Sequence, residues 1–299
     1  MDLVDGLRVF VASVETGSFS GAAGRLHLSP KLASKYMADL EARLGTRLLH
    51  RTTRKLGMTA AGEQLMVKVP DWLDQLDEMT GALREGRQGL SGTIRVAAPV
   101  TYGELLIGPL LQGFRAEHPD LTIDLRLSDR FVDLAADGID LAIRIGLLDD
   151  SALVARKLGE MQLLLVAAPA YLARHGTPVR LVDLASHVCI RDTNMRGDGS
   201  LPLTEDGILH RVAVSGRFLI NSARLARDLV VQGEGIALSP DYAIRDDLRT
   251  GALVTLLPGV RGPVLDIHAV YIGQRRLARR TRALLDHLVE QLGVTEGSG

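Results

Sequence analysis

Side chains suited to an anionic partner are grouped just after position 29 of the 299-residue chain. Ser29 is expected to cap a helix beginning at Pro30, because serine accepts hydrogen bonds from free N–H groups and proline suits the first helical position. Lys31, Ser34 and Lys35 then lie on its outward face, near its start. Ammonium and hydroxyl groups placed there can contact the base edges and phosphates of double-stranded DNA.

A helix-turn-helix is predicted to position these side chains. Ser18 is expected to cap a first short helix, and His27 and Leu28 form the turn before the second helix. The predicted buried faces are Phe19, Ala22, Ala23 and Leu26 in the first helix, and Ala33, Met37, Leu40 and Leu44 in the second. In this motif the second helix lies in the major groove and reads bases with its N-terminal residues.

Positive charge is concentrated in the same part of the chain. Residues 31–55 have a local net charge of +5, whereas the whole chain has a net charge of −1. The basic residues of this segment are Lys31, Lys35, Arg43, Arg47, Arg51, Arg54 and Lys55. A solvated basic surface would also explain the charge, but its coincidence with the helix-turn-helix pattern favours DNA as the partner.

Further residues of this region stand at a characteristic spacing: Phe10, Gly17-Ser18-Phe19, Ala22-Ala23, Leu26, Ser29, Ser34, Leu40-Glu41, Leu44-Gly45, Leu48, Arg51, Arg54 and Thr59-Ala60-Ala61-Gly62-Glu63. With them, the segment from Leu7 to Gln64 resembles the N-terminal domain of LysR-type transcriptional regulators. The resemblance implies a winged helix-turn-helix in which Arg51 and Arg54 of the wing reach the neighbouring minor groove or backbone. The pair Lys31-Leu32 departs from the family's usual small and apolar residues, which implies a base preference of its own.

Apolar residues change to heptad spacing between Thr59 and about Gln88. The residues of this seam are Leu65, Val69, Trp72, Leu76, Met79 and Leu83. A continuous helix of thirty residues would be about 45 Å long, and its apolar stripe predicts a partner helix. Packing on its own domain is the alternative, and Pro70 is expected to bend the helix or divide it in two. In the resembling family this helix pairs antiparallel with its counterpart, which implies a homodimer, with a homotetramer as the expected further step.

Beyond a glycine-rich hinge at 89–92, strands alternate with helices, which predicts a parallel α/β sheet. Strands are predicted at 93–98, 121–127, 139–145, 162–167, 188–191, 211–219, 236–238 and 264–272, and helices at 103–117, 131–136, 169–174, 222–232 and 275–292. Two such halves resemble the effector domain of the same family, which is built like a type II periplasmic binding protein.

The predicted fold class is therefore α/β, with an N-terminal winged helix-turn-helix, a long linker helix and a C-terminal effector domain of two subdomains. The predicted divisions are a DNA-binding domain at 1–58, a dimerisation helix at 59–88, a hinge at 89–92, a regulatory domain at 93–292 and a tail at 293–299. Within the regulatory domain, subdomain 1 comprises 93–164 and 267–292, and subdomain 2 comprises 165–266.

Effector contacts are expected where parallel strands end, because open α/β sheets bind ligands outside those ends. The candidates are Thr101, Ser128, Gly146, Asn194, Phe218, Asn221 and Ser222. Thr101, at the start of a helix with free N–H groups, suits a small organic anion. Capping alone would explain Thr101 and Ser222 equally well, and Phe218 also suits a core position. Arg144 could bind a carboxylate or pair with Asp140.

Other classes of protein find little support in the sequence. The N-terminus lacks the apolar centre of a signal peptide, and the apolar run at 163–168 is too short to cross a membrane, so a cytoplasmic location without a membrane partner is expected. The lone Cys189 cannot form an internal disulfide and suits a buried strand. The eight histidines form no H-x-x-x-H pair, and neither a P-loop nor a G-x-S-x-G motif is present. No catalytic residue, metal site or cofactor is predicted.

Together these observations predict a sequence-specific transcriptional regulator whose promoter binding is modulated by a small-molecule effector. RNA polymerase is a further partner that such a regulator could contact. The alternative is an enzymatic or solute-binding α/β cleft protein without regulatory DNA binding, since such folds host many functions. The helix-turn-helix pattern argues against that alternative.

Overall fold

The structure is a computed structural model, and it describes residues 2–51, 56–83, 89–130, 132–135, 137–147, 153–195, 199–273 and 277–293. The chain divides into two units. The first contains the chain up to Gly92 together with Leu277–Arg279, and the second contains the remainder.

The first unit consists of three helices, a two-stranded wing and a long fourth helix. In chain order these are α1 (Leu3–Thr16), α2 (Phe19–Arg25), α3 (Pro30–Leu44), β1 (Leu49–Arg51), β2 (Leu56–Met58) and α4 (Ala60–Leu83). The Ser18 hydroxyl accepts from the N–H of Gly21 at 3.0 Å, and so caps α2. Gly45, with φ of 67°, ends α3 in the left-handed conformation that glycine adopts without strain.

The core of this unit is formed by the apolar faces of the helices and the start of the wing. Its buried members include Val9, Phe10, Ala23, Ala33, Met37, Leu40, Leu48, Val69 and Leu73. The predicted inner face of α3 is therefore confirmed for three of its four residues. Leu44 is the exception, because it is the last residue of α3 and its side chain is 43% exposed.

The helix α4 packs its first half on its own unit. Val69 and Leu73 are buried in the core, with Leu65 packed against it, whereas Trp72 is 44% exposed. Packing on its own domain, the alternative to a partner helix, thus accounts for Leu65 and Val69 of the predicted seam but not for Trp72. Pro70 lies inside one helical element, so of the two alternatives expected for it, a bend or a division, the division into two segments does not occur. The side chains of Met79 and Leu83 lie outside the described part of the structure.

Apart from the boundary residues, the elements from β3 onward form the second unit. They are β3 (Gly92–Ala98), α5 (Val100–Tyr102), a π-helical turn (Gly103–Ile107), α6 (Gly108–Glu117), β4 (Leu121–Leu127), β5 (Leu141–Ile145), β6 (Leu153–Ala167), α7 (Pro169–His175), a 3-10 helix (Leu181–Ser186), β7 (Val188–Asp192), β8 (Leu201–Glu205), β9 (Ile208–Val212), β10 (Ser215–Ile220), α8 (Ala223–Val231), β11 (Ile236–Pro240), α9 (Asp241–Thr250), β12 (Val254–Thr255), β13 (Val260–Arg261), β14 (Val264–Ile272) and α10 (Arg279–Leu292).

One long strand connects the two lobes of this unit. The strand order is β10-β7-β11-β6-β14-β5-β3-β4. The first part of β6, up to Gln162, pairs antiparallel with β14, and its last part, from Leu163, pairs antiparallel with β11. We call the β3, β4, β5 and β14 side with α5 and α6 lobe 1, and the β7, β10 and β11 side with α7, α8 and α9 lobe 2. The strand β6 therefore belongs to both lobes.

Several predicted elements of the second unit need correction. The strand expected at 211–219 is the end of β9 and most of β10, with a break between them. The hairpin of β8 and β9 was missed, although Asp206 and Gly207, with φ of 51° and 80°, form its turn and Asp-Gly is a strong hairpin signal. The helix α9 was also missed. Of the helix expected at 131–136, the residues 132–135 form coil and a turn, and both ends lie outside the described residues.

Candidate DNA-contact surface and effector cleft

The start of α3 has the geometry that the sequence predicts for a DNA-reading helix. The Ser29 hydroxyl accepts from the N–H of Leu32 at 3.2 Å, and Pro30 is the first helical residue. Lys31 and Lys35 are exposed one turn apart, and Ser34 beside them is partly exposed. Because the opposite face of the helix is buried in the core, these three side chains form the outward surface of its first turns.

The wing after α3 is an antiparallel pair of short strands, with Leu49 opposite Met58 and Arg51 opposite Leu56. Arg51 is the last residue of β1, and its side chain lies outside the described part of the structure, as does the whole of Arg54. The structure therefore places the backbone of one of the two predicted wing arginines. Their expected contacts with DNA stay a prediction.

Glu41 and Gly62 attach the wing to the helices. Neither residue was predicted from the sequence to have this positioning role. The Glu41 carboxylate accepts from the N–H groups of Leu48 and Leu49, at 2.8 and 3.1 Å, and so links α3 to β1. Gly62 in α4 lies so close to the Leu48 carbonyl that an added Cβ would be 2.1 Å from its oxygen. The glycine therefore allows α4 to approach the first wing strand.

The second unit contains a cavity of about 590 Å³ lined by both lobes. Its lining is mostly apolar, with the polar and charged residues Thr101, Ser128, Asp129, Arg130, Arg144, Asp192, Thr193, Asn194 and Tyr242. A volume of this size is within the range of small-molecule binding sites. Contacts between the lobes lie beside it: the Arg224 N–H donates to the Thr101 hydroxyl at 3.3 Å, and the Arg224 guanidinium pairs with Glu104 at 3.3 Å.

Four of the seven predicted effector residues line this cavity, namely Thr101, Ser128, Gly146 and Asn194. The other three, Asn221, Ser222 and Phe218, are outside its lining, and their contact with an effector stays a prediction. Ser222 caps α8, where its hydroxyl accepts from the N–H of Leu225 at 3.3 Å, and the Asn221 carbonyl accepts from the Asn194 amide at 2.8 Å. Phe218 is 37% exposed on β10, at the edge of the sheet, so a core position is wrong for it.

Two carboxylates of the lining come from different lobes. Asp129 follows β4 and accepts from the N–H of Val100 at 3.0 Å, and Asp192 ends β7 and accepts from the N–H of Asn194 at 2.8 Å. Burial is the largest cause that raises the pKa of Asp192. The Asn194 hydrogen bond acts against this increase, and the charge of Asp129 adds to it. Both carboxylates therefore belong to one lining, to which each lobe contributes one.

Tyr242, in the first turn of α9, lies near the same carboxylates. Burial raises its pKa well above the usual range, and the charges of Asp129 and Asp192 act in the same direction. Its ring packs edge-on against Tyr102 of lobe 1, with centroids 5.1 Å apart, and burial raises the pKa of Tyr102 to about 12. Both phenols therefore stay protonated at neutral pH. Tyr242 was not predicted from the sequence, because the helix that bears it, α9, was not predicted.

Arg130 and Arg144 are cations of the described lining, and Arg144 contacts the backbone. Its guanidinium donates to the Val132 carbonyl oxygen at 2.8 Å. The Asp140 carboxylate, the pairing alternative from sequence, accepts from the N–H of Arg95 at 2.8 Å.

Among the described residues, no group of three or more His, Cys, Asp or Glu side chains is placed to hold a metal ion. No helix in the described ranges is long and apolar enough to span a membrane.

Comparison with known proteins agrees with this architecture. Residues 4–63 match the bacterial regulatory helix-turn-helix protein family of lysR type, and residues 87–293 match the LysR substrate binding domain. An HTH-type transcriptional regulator of Xanthomonas campestris pv. campestris is 35% identical over 97% of this chain and 86% of its own.

Solved structures of two regulators are also similar over nearly the whole chain. CrgA, a LysR-type transcriptional regulator from Neisseria meningitidis, is 32% identical with a TM-score of 0.63, and the match covers 96% of this chain and 98% of that one. The Vibrio cholerae virulence activator AphB is 30% identical with a TM-score of 0.61, over 97% and 99% of the two chains. The chain belongs to the LysR family of transcriptional regulators, and its predicted fold class is confirmed.

Proposed function

We propose that this chain is a sequence-specific transcriptional regulator whose binding to double-stranded promoter DNA is modulated by a small molecule in the cleft between lobes 1 and 2. The observation that carries the proposal is the presence, in one LysR-family chain, of a capped helix with exposed lysines and a two-lobed cavity of about 590 Å³. No enzymatic reaction and no cofactor are part of the proposal. Its place of action is the cytoplasm, where the DNA is.

Each DNA-contact residue has a distinct role in this proposal. Lys31, Ser34 and Lys35 contact base edges from the major groove, where hydrogen-bond patterns distinguish all four base pairs. Arg51 and Arg54 contact the neighbouring minor groove or the phosphate backbone, which adds affinity without sequence preference. The cap formed by Ser29 and the ring of Pro30 determine where α3 begins and therefore which of its side chains reach the bases.

The effector acts by a shift between conformations of the two-lobed unit. A ligand that contacts both lobes binds a closed arrangement better than an open one, and it shifts the equilibrium only by that difference in affinity. Thr101, Ser128, Gly146 and Asn194 are our candidates for direct contact, because they line the cavity from both lobes. Coupling energies of this kind are typically about 1–3 kcal/mol, which is a 5- to 150-fold change in DNA affinity.

A homodimer is proposed, with the second half of α4 as the contact. Trp72 supports this assignment, because a large ring that is 44% exposed on a helix suits burial against a second helix. Dimers are proposed to pair into tetramers, and RNA polymerase is a further proposed partner. We keep the divisions 1–58, 59–88, 89–92 and 93–292 as the proposed domains.

The test is a DNase I footprint of the purified chain on the DNA upstream of its own gene, with random competitor DNA and a salt series. We expect protected half-sites that resist the competitor. Lys35→Ala should reduce the preference for the operator over random DNA by about 1–3 kcal/mol per base contact. Arg51→Ala should weaken binding to all sequences and lower the log–log salt slope by about one.

The matched control for both variants is Arg249→Ala, which removes an exposed cation from α9 in the second unit. It should leave the footprint and the salt slope unchanged. Protection equal to that on random DNA, with and without candidate effectors, would refute sequence-specific binding. An equal loss on operator and random DNA for Lys35→Ala would remove that residue from base recognition.

A further inference from the structure

Two carboxylates from different lobes contribute to the same cavity, and this arrangement constrains the charge of its ligand. In the described structure, each carboxylate accepts one hydrogen bond through its Oδ1 atom. Asp129 accepts from the N–H of Val100, and Asp192 accepts from the N–H of Asn194. The Oδ2 atoms are the remaining acceptors of the pair. Because like charges repel more strongly when they are partly removed from water, closing the lobes on an empty cleft would be opposed by this pair.

The site where an anion was expected contains a carboxylate of the protein itself. Thr101 lies at the start of a helical segment, and helix starts attract anions through their free N–H groups. Here the N–H of Val100 donates to Asp129 at 3.0 Å, and the Thr101 hydroxyl accepts from the N–H of Arg224. A second anion bound at this helix start would lie beside the Asp129 charge and would be repelled by it.

The remaining groups near the pair favour a cation with an apolar body. Tyr242 adds a neutral hydroxyl and an aromatic ring beside the two carboxylates, and both can contact an ammonium group. The apolar residues of the cavity include Ala142, Ile143, Ile145, Met161, Leu163 and Leu265. The cations of the lining are Arg144, which donates to the Val132 carbonyl, and Arg130, which is exposed.

We infer that the effector is a small organic amine whose protonated nitrogen binds between Asp129 of lobe 1 and Asp192 of lobe 2, beside Tyr242. The inference rests on the proposed function, because it identifies the chemical class of the ligand that the cleft takes. An ammonium group between the carboxylates replaces their repulsion by two attractive contacts, one to each lobe. The ligand therefore favours the closed arrangement of the lobes, which is the property that an effector needs in order to shift a population.

The test measures ligand binding to the full-length chain without DNA. Thermal unfolding is followed with n-butylamine, n-hexylamine and benzylamine at neutral pH, against the corresponding alcohols and against sodium chloride at equal ionic strength. We expect the amines to raise the unfolding temperature more than the alcohols or the salt. Calorimetric titration with the best amine then gives its dissociation constant.

Variants locate the effect in the cavity. Asp129→Asn and Asp192→Asn each keep an oxygen that can accept the existing backbone hydrogen bond, and each should weaken amine binding at least tenfold. Asp246→Asn removes an 86% exposed carboxylate from α9 and should change nothing. Without amine, Asp192→Asn should be at least as stable as the natural chain, because it removes a charge whose burial is unfavourable. That result excludes misfolding as the cause of lost binding.

The inference is overturned if the amines raise the unfolding temperature no more than the corresponding alcohols, or if the effect of the amines persists in both aspartate variants. It is also overturned if carboxylic acid anions of the same carbon skeletons, measured in the same way, stabilise the chain and the amines do not. Each of these outcomes leaves the footprint on operator DNA intact, so the ligand class fails while the proposed regulator stands. If the footprint on operator DNA were lost while amine binding was retained, the proposed regulator would fail and the ligand class would stand.

Discussion

The ion pair between α8 and α9 in lobe 2 allows a quantitative prediction of stability. Asp247 is only 4% exposed, and its carboxylate accepts from Arg227 Nε at 2.6 Å and also from Nη2. Arg227 is 34% exposed and donates in addition to Asp228 at 2.8 Å. The hydrogen bonds that Arg227 donates to these carboxylates raise its pKa above the usual range. This pair joins the helix that begins at the cavity with the helix that bears Tyr242.

Arg227→Met would leave the Asp247 carboxylate buried without its partner. Removing one member of a buried ion pair typically costs about 3–5 kcal/mol, because the other charge stays desolvated. For a unit of about 200 residues this corresponds to a fall in Tm of roughly 6–20 °C, at about 2–4 °C per kcal/mol. The double variant Arg227→Met/Asp247→Leu should recover most of the loss, because it removes the unpaired charge as well.

Far-UV circular dichroism and fluorescence measure this effect during thermal and urea unfolding. The single tryptophan, Trp72, lies in the first unit and serves as an internal reference for unfolding outside the affected lobe. The matched control is Arg249→Met, whose pair with Asp246 is exposed and should contribute less than about 1 kcal/mol. A loss for Arg227→Met no larger than that of the control would contradict this prediction, as would a double variant less stable than the single one.

Two further predictions concern packing and pH. Gly62→Ala should destabilise the first unit by about 1–3 kcal/mol in urea unfolding, because the added Cβ would overlap the Leu48 carbonyl oxygen. The control Gly113→Ala places its Cβ in open space on α6, so it should stabilise the second unit by about 0.5–1 kcal/mol. Equal effects of the two would contradict this account. Burial lowers the pKa of His187, whose ring is 3.2 Å from the Tyr171 hydroxyl, so the unfolded chain binds the proton more readily. The free energy of unfolding should therefore fall as the pH drops below about 6.5. If the free energy of unfolding of His187→Gln fell by the same amount over the same pH range, this histidine would be excluded as the source.

The first unit could be predicted in detail because its signals are local. A serine cap and a proline at the first helical position each act within one turn of helix, and both occur where they were expected at the start of α3. The buried face of α3 followed from helical spacing for the same reason. The packing partner of the apolar stripe on α4 was predicted less well. A heptad pattern indicates that such a stripe exists, but it does not identify whether the same unit or a second helix covers it.

The second unit shows where local signals are not enough. The strand at 121–127 and the strand at 264–272 were predicted to the residue, because each is a short apolar or alternating run with clear ends. The hairpin turn at Asp206 and Gly207 and the helix after Pro240 had usable signals that were missed. The length of β6 had none, because its two parts are defined by different partner strands, β14 and β11.

The sequence by itself determined the class of the chain, the helices of the DNA-reading module and four residues of the cavity, because caps, periodicity and strand ends are properties of neighbouring residues. Only the tertiary structure decided which of the candidates meet. Asp129, Asp192 and Tyr242 are far apart in the chain, and the sheet order with its shared strand β6 brings them to one cavity. The same order leaves Phe218 on an edge strand, outside that cavity. Side chains from separate elements meet only through long-range pairing, which no local pattern encodes.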